Sequence, residues 1–299
     1  MQKEILLLFL SLSNPVLDTI ANLSSFFSEQ AVMIILIGWI LYAGDKKKGY
    51  AIVGPILISA LLMSVLKAIV RAPRPFQVLD KIKGKRISTA TGYSFPSGHT
   101  TISSSMYSAI AIAYKKKKIS IACAILIILV ALSRIYLGVH WPIDVFGGLV
   151  IGIPLSIILY PIFYRIAEDK DKKYRVSLFL AHFTFVSAFI MTLLLRFNLI
   201  DTTAFSDLLK TAALASGAYY GFALEVKKLN YKTDGTIAKK LIRLISLALI
   251  SLLIIASLKT LFGVNYYYIG CFVRYSLVGI FLTYLFPLLF KGLFNFDES

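Results

Sequence analysis

Apolar residues in this chain come in long runs separated by short, mostly basic, polar connections. Nine runs can be marked, at about 29–44, 50–70, 97–114, 119–137, 142–164, 177–197, 205–226, 241–262 and 268–290. Most approach the ~20 residues that cross ~30 Å of hydrocarbon. Lipid offers no partner to a backbone N–H or C=O, so such runs predict helices that satisfy themselves. The pattern therefore predicts an all-α polytopic membrane protein of about nine spans. No internal repeat is visible, and the paired Gly/Pro-broken helices typical of many transporters are missing. The first 27 residues read differently. Their apolar stretch lasts only from Ile5 to Leu12, and Pro15, Asp18 and Asn22 then break the pattern. No small-residue cleavage site is present there either, which argues against a signal peptide. Residues 1–27 are expected to lie as an amphipathic segment in the interface, with a short first span as the alternative.

Composition narrows the class. The 299 residues are 58% hydrophobic with a mean hydropathy of +0.78, too apolar for a soluble domain of this size. A net charge of +17 would suggest nucleic acid in a soluble protein. Here the lysines cluster between apolar runs, so topology explains them and no nucleic-acid partner is expected. Nineteen Lys and Arg fall in alternate connections, at 46–48, 115–118, 165–175, 227–243 and 291. The opposite connections hold six, all between Arg71 and Arg86. The lysine-rich side should be cytoplasmic. The 71–96 loop, the turn around His140 and the "NYYY" at 265–268 then face outward. Cys123 and Cys271 sit inside apolar runs without metal-ligand spacing and are expected as free core residues.

Three polar clusters stand at the outward ends of spans. In "KAIVRAPRP", Lys67 closes the second run and Arg74 comes between prolines that fix its direction. The planar arginine fork suits phosphate oxygens. In "GYSFPSGHT", Pro96 and Ser97 suit a helix start, Gly98 permits close approach to backbone, and His99 stands on the first turn. Free N–H groups of such a helix start attract anions. In "SRIYLGVHWPIDV", Arg134 ends one span and Pro142 suits the first turn of the next, placing His140 and Asp144 one above the other. A carboxylate there can take one imidazole N–H and raise the basicity of the other nitrogen, which prepares a nucleophile. Taken singly, each cluster also reads as a snorkelling lysine, an ordinary helix cap or a self-satisfied pair. Taken together, three cations, a helix start and two histidines on one side fit phosphoryl transfer without a metal.

The spacing Lys67-x6-Arg74-Pro75, then Pro96-Ser97-Gly98-His99, then Ser133-Arg134-x5-His140-x3-Asp144 resembles the tripartite signature of type 2 phosphatidic acid phosphatases, the PAP2 superfamily. The resemblance covers roughly residues 28–165. It implies a PAP2-like helical bundle core, with His140 as nucleophile, Asp144 orienting it and His99 as general acid. Lys67, Arg74, Arg134, Ser97 and the Gly98 N–H would bind the phosphoryl oxygens, with no metal and no cofactor. Residues 177–291 lie outside it and are expected as a four-helix transmembrane region. There His182 reads as a core histidine, and Lys259 and Arg274 read as snorkelling cations.

The expected function is a lipid phosphatase in the plasma membrane, acting at the outer face on a phosphorylated lipid through a phosphohistidine. Candidate substrates are undecaprenyl diphosphate, phosphatidylglycerophosphate, phosphatidate and sphingoid-base phosphates. The "KIKGKR" at 81–86 would draw in anionic headgroups. A luminal site in an internal membrane gives the same charge pattern. The alternative is a membrane transporter of an anionic lipid or solute, which has no evident use for the His140–Asp144 pair. The oligomeric state is left open.

Overall fold

The structure is a computed structural model that describes residues 1–262 and 266–296. It consists of α1 (Gln2–Ser11), α2 (Pro15–Phe26), α3 (Gln30–Ala43), α4 (Lys46–Val70), a short α5 (Pro75–Val78), α6 (Gly98–Tyr114) and α7 (Lys117–Tyr136). After these come α8 (Pro142–Glu168), α9 (Lys170–Arg196), α10 (Thr202–Lys228), α11 (Ile237–Leu261) and α12 (Tyr267–Ile280). A π-helical turn, Phe281–Leu285, then leads into α13 (Phe286–Leu289). The strand content among the described residues is one two-residue antiparallel pairing, Tyr231–Lys232 with Asn295–Phe296. Helix starts obey capping chemistry. Asn14, Asp169, Asp201 and Thr236 each accept a first-turn N–H of α2, α9, α10 and α11.

Five helical stretches are long and apolar enough to cross a membrane: Lys46–Val78, Lys117–Tyr136, Pro142–Glu168, Lys170–Arg196 and Tyr267–Leu289. The α1–α2 pair, bent by 120°, would be a sixth if taken as one broken span. The nine-span expectation therefore draws on helices beyond these. Of them, α3 has only 14 residues and α6 only 17. The latter is rich in hydroxyls (Thr100, Thr101, Ser103–Ser105), all fully buried.

The chain divides into two compact units. One comprises Met1–Met33 and Ile52–Pro161, the other Ile34–Ala51 and Ile162–Ser299. These cuts differ from the expected segments of 1–27, 28–165 and 177–291 in two ways. Residues 34–51 group with the C-terminal helices, and the first 33 residues group with the signature-bearing ones.

In the first unit, α1 and α2 are packed on the remainder. Leu6 is fully buried among Ile82, Ala131, Ile135 and Val145, and Ala21 is buried among Tyr136, Leu137 and Val139. Asp18 accepts from Lys85 (2.5 Å) and Tyr136 Oη (2.6 Å), and Glu29 pairs with Arg86. Inside the unit, Ser59, Ser105 and Ser156 form a hydroxyl chain linking α4, α6 and α8. Gly148 lets α8 pass against the start of α6, since a Cβ there would meet Thr100 Cβ at 2.9 Å and the Ser97 carbonyl at 3.1 Å.

The second unit keeps most of its buried ions paired or capped. Glu225 accepts from Lys46 (2.9 Å) and Lys173 (3.0 Å). Arg243, 1% exposed, donates to the carbonyls of Tyr42, Thr233, Asp234 and Leu293. Cys123 in the first unit and Cys271 in the second are buried and free, as expected. His182 departs from expectation. It lies on an exposed face of α9, donates from Nδ1 to the Leu178 carbonyl one turn back, and meets Tyr220 edge-on. Asn265 and the side chain of Lys259 lie outside the described residues.

Candidate active site

All eight expected site residues fall in the first unit. Pro142 opens α8, so His140 and Asp144 stand at its entrance. Asp144 is fully buried, and its Oδ2 accepts from three donors: Ser94 Oγ, Trp141 N (2.8 Å) and His140 Nδ1 (3.3 Å). Its Oδ1 is buried without a partner. On the other side of the ring, Arg74 Nη1 lies 3.1 Å from His140 Nε2. A guanidinium only donates, so Nε2 must be the unprotonated nitrogen and the ring proton must sit on Nδ1, facing Asp144. That tautomer leaves a lone pair on Nε2.

Arg74, 1% exposed, is itself positioned by carbonyls. It donates to Val139 (2.9 Å), Gly92 (3.0 Å), Thr91 (2.6 Å) and Tyr93 (3.4 Å). The buried Lys67 also points to the Thr91 carbonyl, at 3.4 Å. Thus the 91–93 stretch gathers two cations from α4 and the loop after it. Arg134, fully buried near the end of α7, donates from Nη1 to Ser25 Oγ (3.1 Å), while its Nε and Nη2 have no partner among the described residues. Burial holds the His140 imidazole well below its ordinary 6.5, and the charges of Arg74, Arg134, Lys67 and His99 add to the effect.

Around α6, Ser97 N donates to the Asp144 carbonyl at 2.9 Å, tying the two helix starts together. Ser97 stands at the cap position, but its hydroxyl caps no backbone N–H. It accepts instead from Thr100 Oγ1 (2.9 Å). The first-turn N–H groups of α6 are thereby left to an anion. Gly98 has ordinary space around it, with Met63 as the nearest neighbour to an added Cβ at 3.6 Å, so packing does not demand glycine there. The side chain of His99, on the same turn, makes no hydrogen bond among the described residues. Beside the site, a cleft of about 340 Å³ reaches Asp144 between Val70, Ala72, Phe95, Trp141 and Ile143, with Gln2 at its rim. Its lining is largely apolar.

Residues 49–168 match the family model of the PAP2 superfamily. Residues 209–296 match that of a PAP2 superfamily phosphatase transmembrane extension. Undecaprenyl-diphosphatase BcrC of Bacillus subtilis is 31% identical over 153 residues, an alignment spanning 50% of this chain and 77% of that one. The chain belongs to the PAP2 superfamily. Phosphatidylglycerophosphatase B of Bacillus subtilis is 32% identical over 94 residues, 28% of this chain and 44% of that protein, so less than half of that relative is covered. The crystal structure of Aquifex aeolicus LpxE matches with a TM-score of 0.49 at 26% identity, covering 54% of this chain and 94% of that one.

As a PAP2 protein whose relatives are membrane lipid phosphatases, this chain is a phosphoric ester or diphosphate hydrolase of the lipid phosphatase class. Within the PAP2 site, three contributors escaped the sequence reading. Ser94 and Thr91 lie in or beside "GYSFPSGHT", but nothing in their spacing separates them from ordinary loop residues. Ser25 is more than a hundred residues from Arg134, and no local pattern announces it. The "KIKGKR" stretch is also less available than its charge suggests. Lys85 and Arg86 are engaged by Asp18 and Glu29, leaving Lys81 and Lys83 exposed.

Proposed function

We propose that this PAP2 phosphatase cleaves the terminal phosphate of a membrane lipid through a phosphohistidine on His140, at the outer face of the plasma membrane. The observation that carries this reading is His140 held between Asp144 on Nδ1 and Arg74 on Nε2, which leaves a lone pair on Nε2 amid cations. In the first step Nε2 attacks phosphorus and the bond from phosphorus to the lipid oxygen breaks. His99 gives that oxygen its proton. In the second, water attacks the phosphohistidine, loses its proton to His99 and releases phosphate. Lys67, Arg74, Arg134, Ser97 and the Gly98 N–H neutralise and orient the phosphoryl oxygens. The unpartnered Nε and Nη2 of Arg134 are donors suited to that task.

Asp144 holds the tautomer and stabilises the positive charge that grows on the imidazole. Ser94 and Trp141 N fix the carboxylate in turn. Three cations supply the charge that a metal would otherwise bring. Among the described residues, no group of three or more His, Cys, Asp and Glu is placed to hold one. The apolar cleft that reaches Asp144 suits a lipid chain whose phosphate lies at the site. The named relatives point to undecaprenyl diphosphate and phosphatidylglycerophosphate first, with phosphatidate and sphingoid-base phosphates as further candidates. The lysine-rich connections support the outward orientation, and residues 28–165 would form the catalytic core.

The test is phosphate release from those lipids in excess EDTA, by wild type and His140→Ala, with acid-labile label trapped from a 32P-labelled substrate. Release by wild type with trapped label, both lost in the mutant, is the expected result. Full activity in His140→Ala would refute the assigned nucleophile.

A further inference from the structure

The second unit contains a buried cation that its described residues leave without a counter-charge. Arg274 lies on α12 seven residues after Tyr267, roughly 10 Å along the helix from its start. It is only 7% exposed, so it does not snorkel to an interface as its position in the sequence suggests. Its polar contact is a weak one, from Nη2 to Cys271 Sγ at 3.8 Å, and its guanidinium stacks 4.9 Å from the Tyr275 ring centroid. Nε is buried with no partner among the described residues.

The unit's other deeply buried cations are compensated, Lys173 by Glu225 and Arg243 by four carbonyls. For Arg274 no carboxylate is at hand among the described residues. The chain from Ile237 to Phe296 contains no Asp or Glu at all, Glu225 is held by two lysines, and Asp207 is paired with Lys210 at 3.2 Å. An unpaired cation inside a membrane protein is costly enough to imply a partner or a task.

The surroundings suit an anion. Lys210 lies two turns into α10, as Arg274 lies two turns into α12, and it interacts electrostatically with Tyr267 and Tyr275. The Tyr267 hydroxyl is paired with the same Cys271 thiol that Arg274 touches. One small cluster therefore joins Lys210, Tyr267, Cys271, Arg274 and Tyr275, with Asp207 offsetting one of its two positive charges. The two helices are in backbone contact. Any Cβ at Gly217 would strike the Ser276 carbonyl, and any at Gly279 would strike Leu214 O and Ala218 N. The cations are thus carried on a rigid pair rather than on mobile loops.

We propose that this cluster is a second anion site, which holds the phosphate group of an anionic membrane lipid against Arg274, with Lys210 and Tyr267 as further donors. The residues of this cluster all belong to the second unit, and the inference does not depend on the catalytic assignment. A phosphate monoester headgroup and free inorganic phosphate share the required chemistry, and only the first also carries acyl chains that hold it in the membrane.

The test uses the full chain in detergent, carrying His140→Ala and Arg134→Met so that lipid is neither turned over nor held by the Arg134 clamp. Unfolding temperature is measured against dioleoyl phosphatidate, inorganic phosphate and, as control, dioleoyl phosphatidylcholine. Phosphatidate is expected to raise the unfolding temperature in this background. Adding Arg274→Met should then increase the half-saturating concentration by on the order of tenfold or more, the usual worth of a hydrogen bond to a charged group. Without lipid, the Arg274→Met protein should be at least as stable as its parent, because a lone buried charge has been removed. Arg274→Lys should keep much of the response, and Lys210→Met serves as an independent second variant should Arg274→Met fail to fold. An equal response to inorganic phosphate assigns the site to the free anion, and a response to phosphatidate alone assigns it to the headgroup. The proposal is overturned if phosphatidate produces no shift, or if the shift survives Arg274→Met or, should that protein not fold, Lys210→Met.

Discussion

Replacing Asp144 by Asn separates chemistry from architecture at this site. Oδ2 accepts from Ser94 Oγ, Trp141 N and His140 Nδ1, whereas Oδ1 is buried with no partner. Three donors converge on one oxygen, so the asparagine must place its carbonyl there and its NH2 in the empty position. All three hydrogen bonds survive, and the His140 tautomer with them. Burying an unpartnered NH2 costs about 1–3 kcal/mol. No longer burying an anion offsets part of that, so the unfolding temperature should move by only a few degrees.

What is lost is the negative charge beneath an imidazole that becomes positive as it takes the phosphoryl group. Charge-assisted hydrogen bonds are about twice as strong as neutral ones, and the difference, about 1–1.5 kcal/mol, corresponds to roughly a 5- to 13-fold fall in kcat. KM should hardly rise, because the carboxylate is no phosphate ligand. Steady-state phosphate release beside a thermal melt measures both quantities. An Asp144→Asn enzyme with kcat within a factor of two of wild type would refute the reasoning, and would reduce the pair to a structural link between the Trp141 backbone and Ser94.

The geometry sets three further expectations. Gly98→Ala places its Cβ 3.6 Å from Met63, an ordinary contact, so stability should hold or rise by about 0.5–1 kcal/mol. Its kcat/KM should nevertheless fall at least several-fold if phosphate oxygens lie against that backbone, which parallel melting and kinetic assays would show. Ser25→Ala removes the hydrogen-bond partner of a buried arginine, so it should lower stability by about 1–3 kcal/mol and raise KM more than it lowers kcat; an unchanged KM would detach Ser25 from the phosphate clamp. As for pH, His140 titrates well below 6.5 when folded and near 6.5 when unfolded, so the unfolded chain binds the extra proton first. Its contribution is therefore present above pH 6.5 and lost as pH falls toward the folded value. The acid limb of kcat/KM should lie below pH 6.5, and a melt of His140→Gln should lose less stability between pH 7 and pH 5 than wild type.

The parts of this structure that were legible in the sequence are those governed by local spacing. The four-residue spacing brings His140 Nδ1 within 3.3 Å of Asp144 although His140 precedes α8, and apolar run length marks five membrane-length stretches. The parts that were not legible depend on contacts between distant segments. Ser25 and Arg134 are 109 positions apart, and Asp18 and Tyr136 are 118 apart. A polar N-terminal stretch read in isolation suggests an interface, because the partners of its polar groups lie elsewhere in the chain. Arg274 shows the same limit in reverse. Its place near a span end suggests snorkelling, whereas packing between distant helices leaves it buried. His182 failed for a simpler reason, since one histidine in an apolar run carries no information about which face it occupies.

The bent α1–α2 pair has a consequence for how the protein is made. These helices are made before their partners, which are Lys85, Arg86, Arg134 and Tyr136. During synthesis they must wait, unpaired, until α7 has been delivered to the bilayer. The first unit can therefore close only once Tyr136 has been made, with α8 to α13 still to follow. Until then the nascent chain carries Ser25 without the arginine it contacts, and a premature stop before α7 would leave Asp18 and Ser25 without their Tyr136 and Arg134 partners.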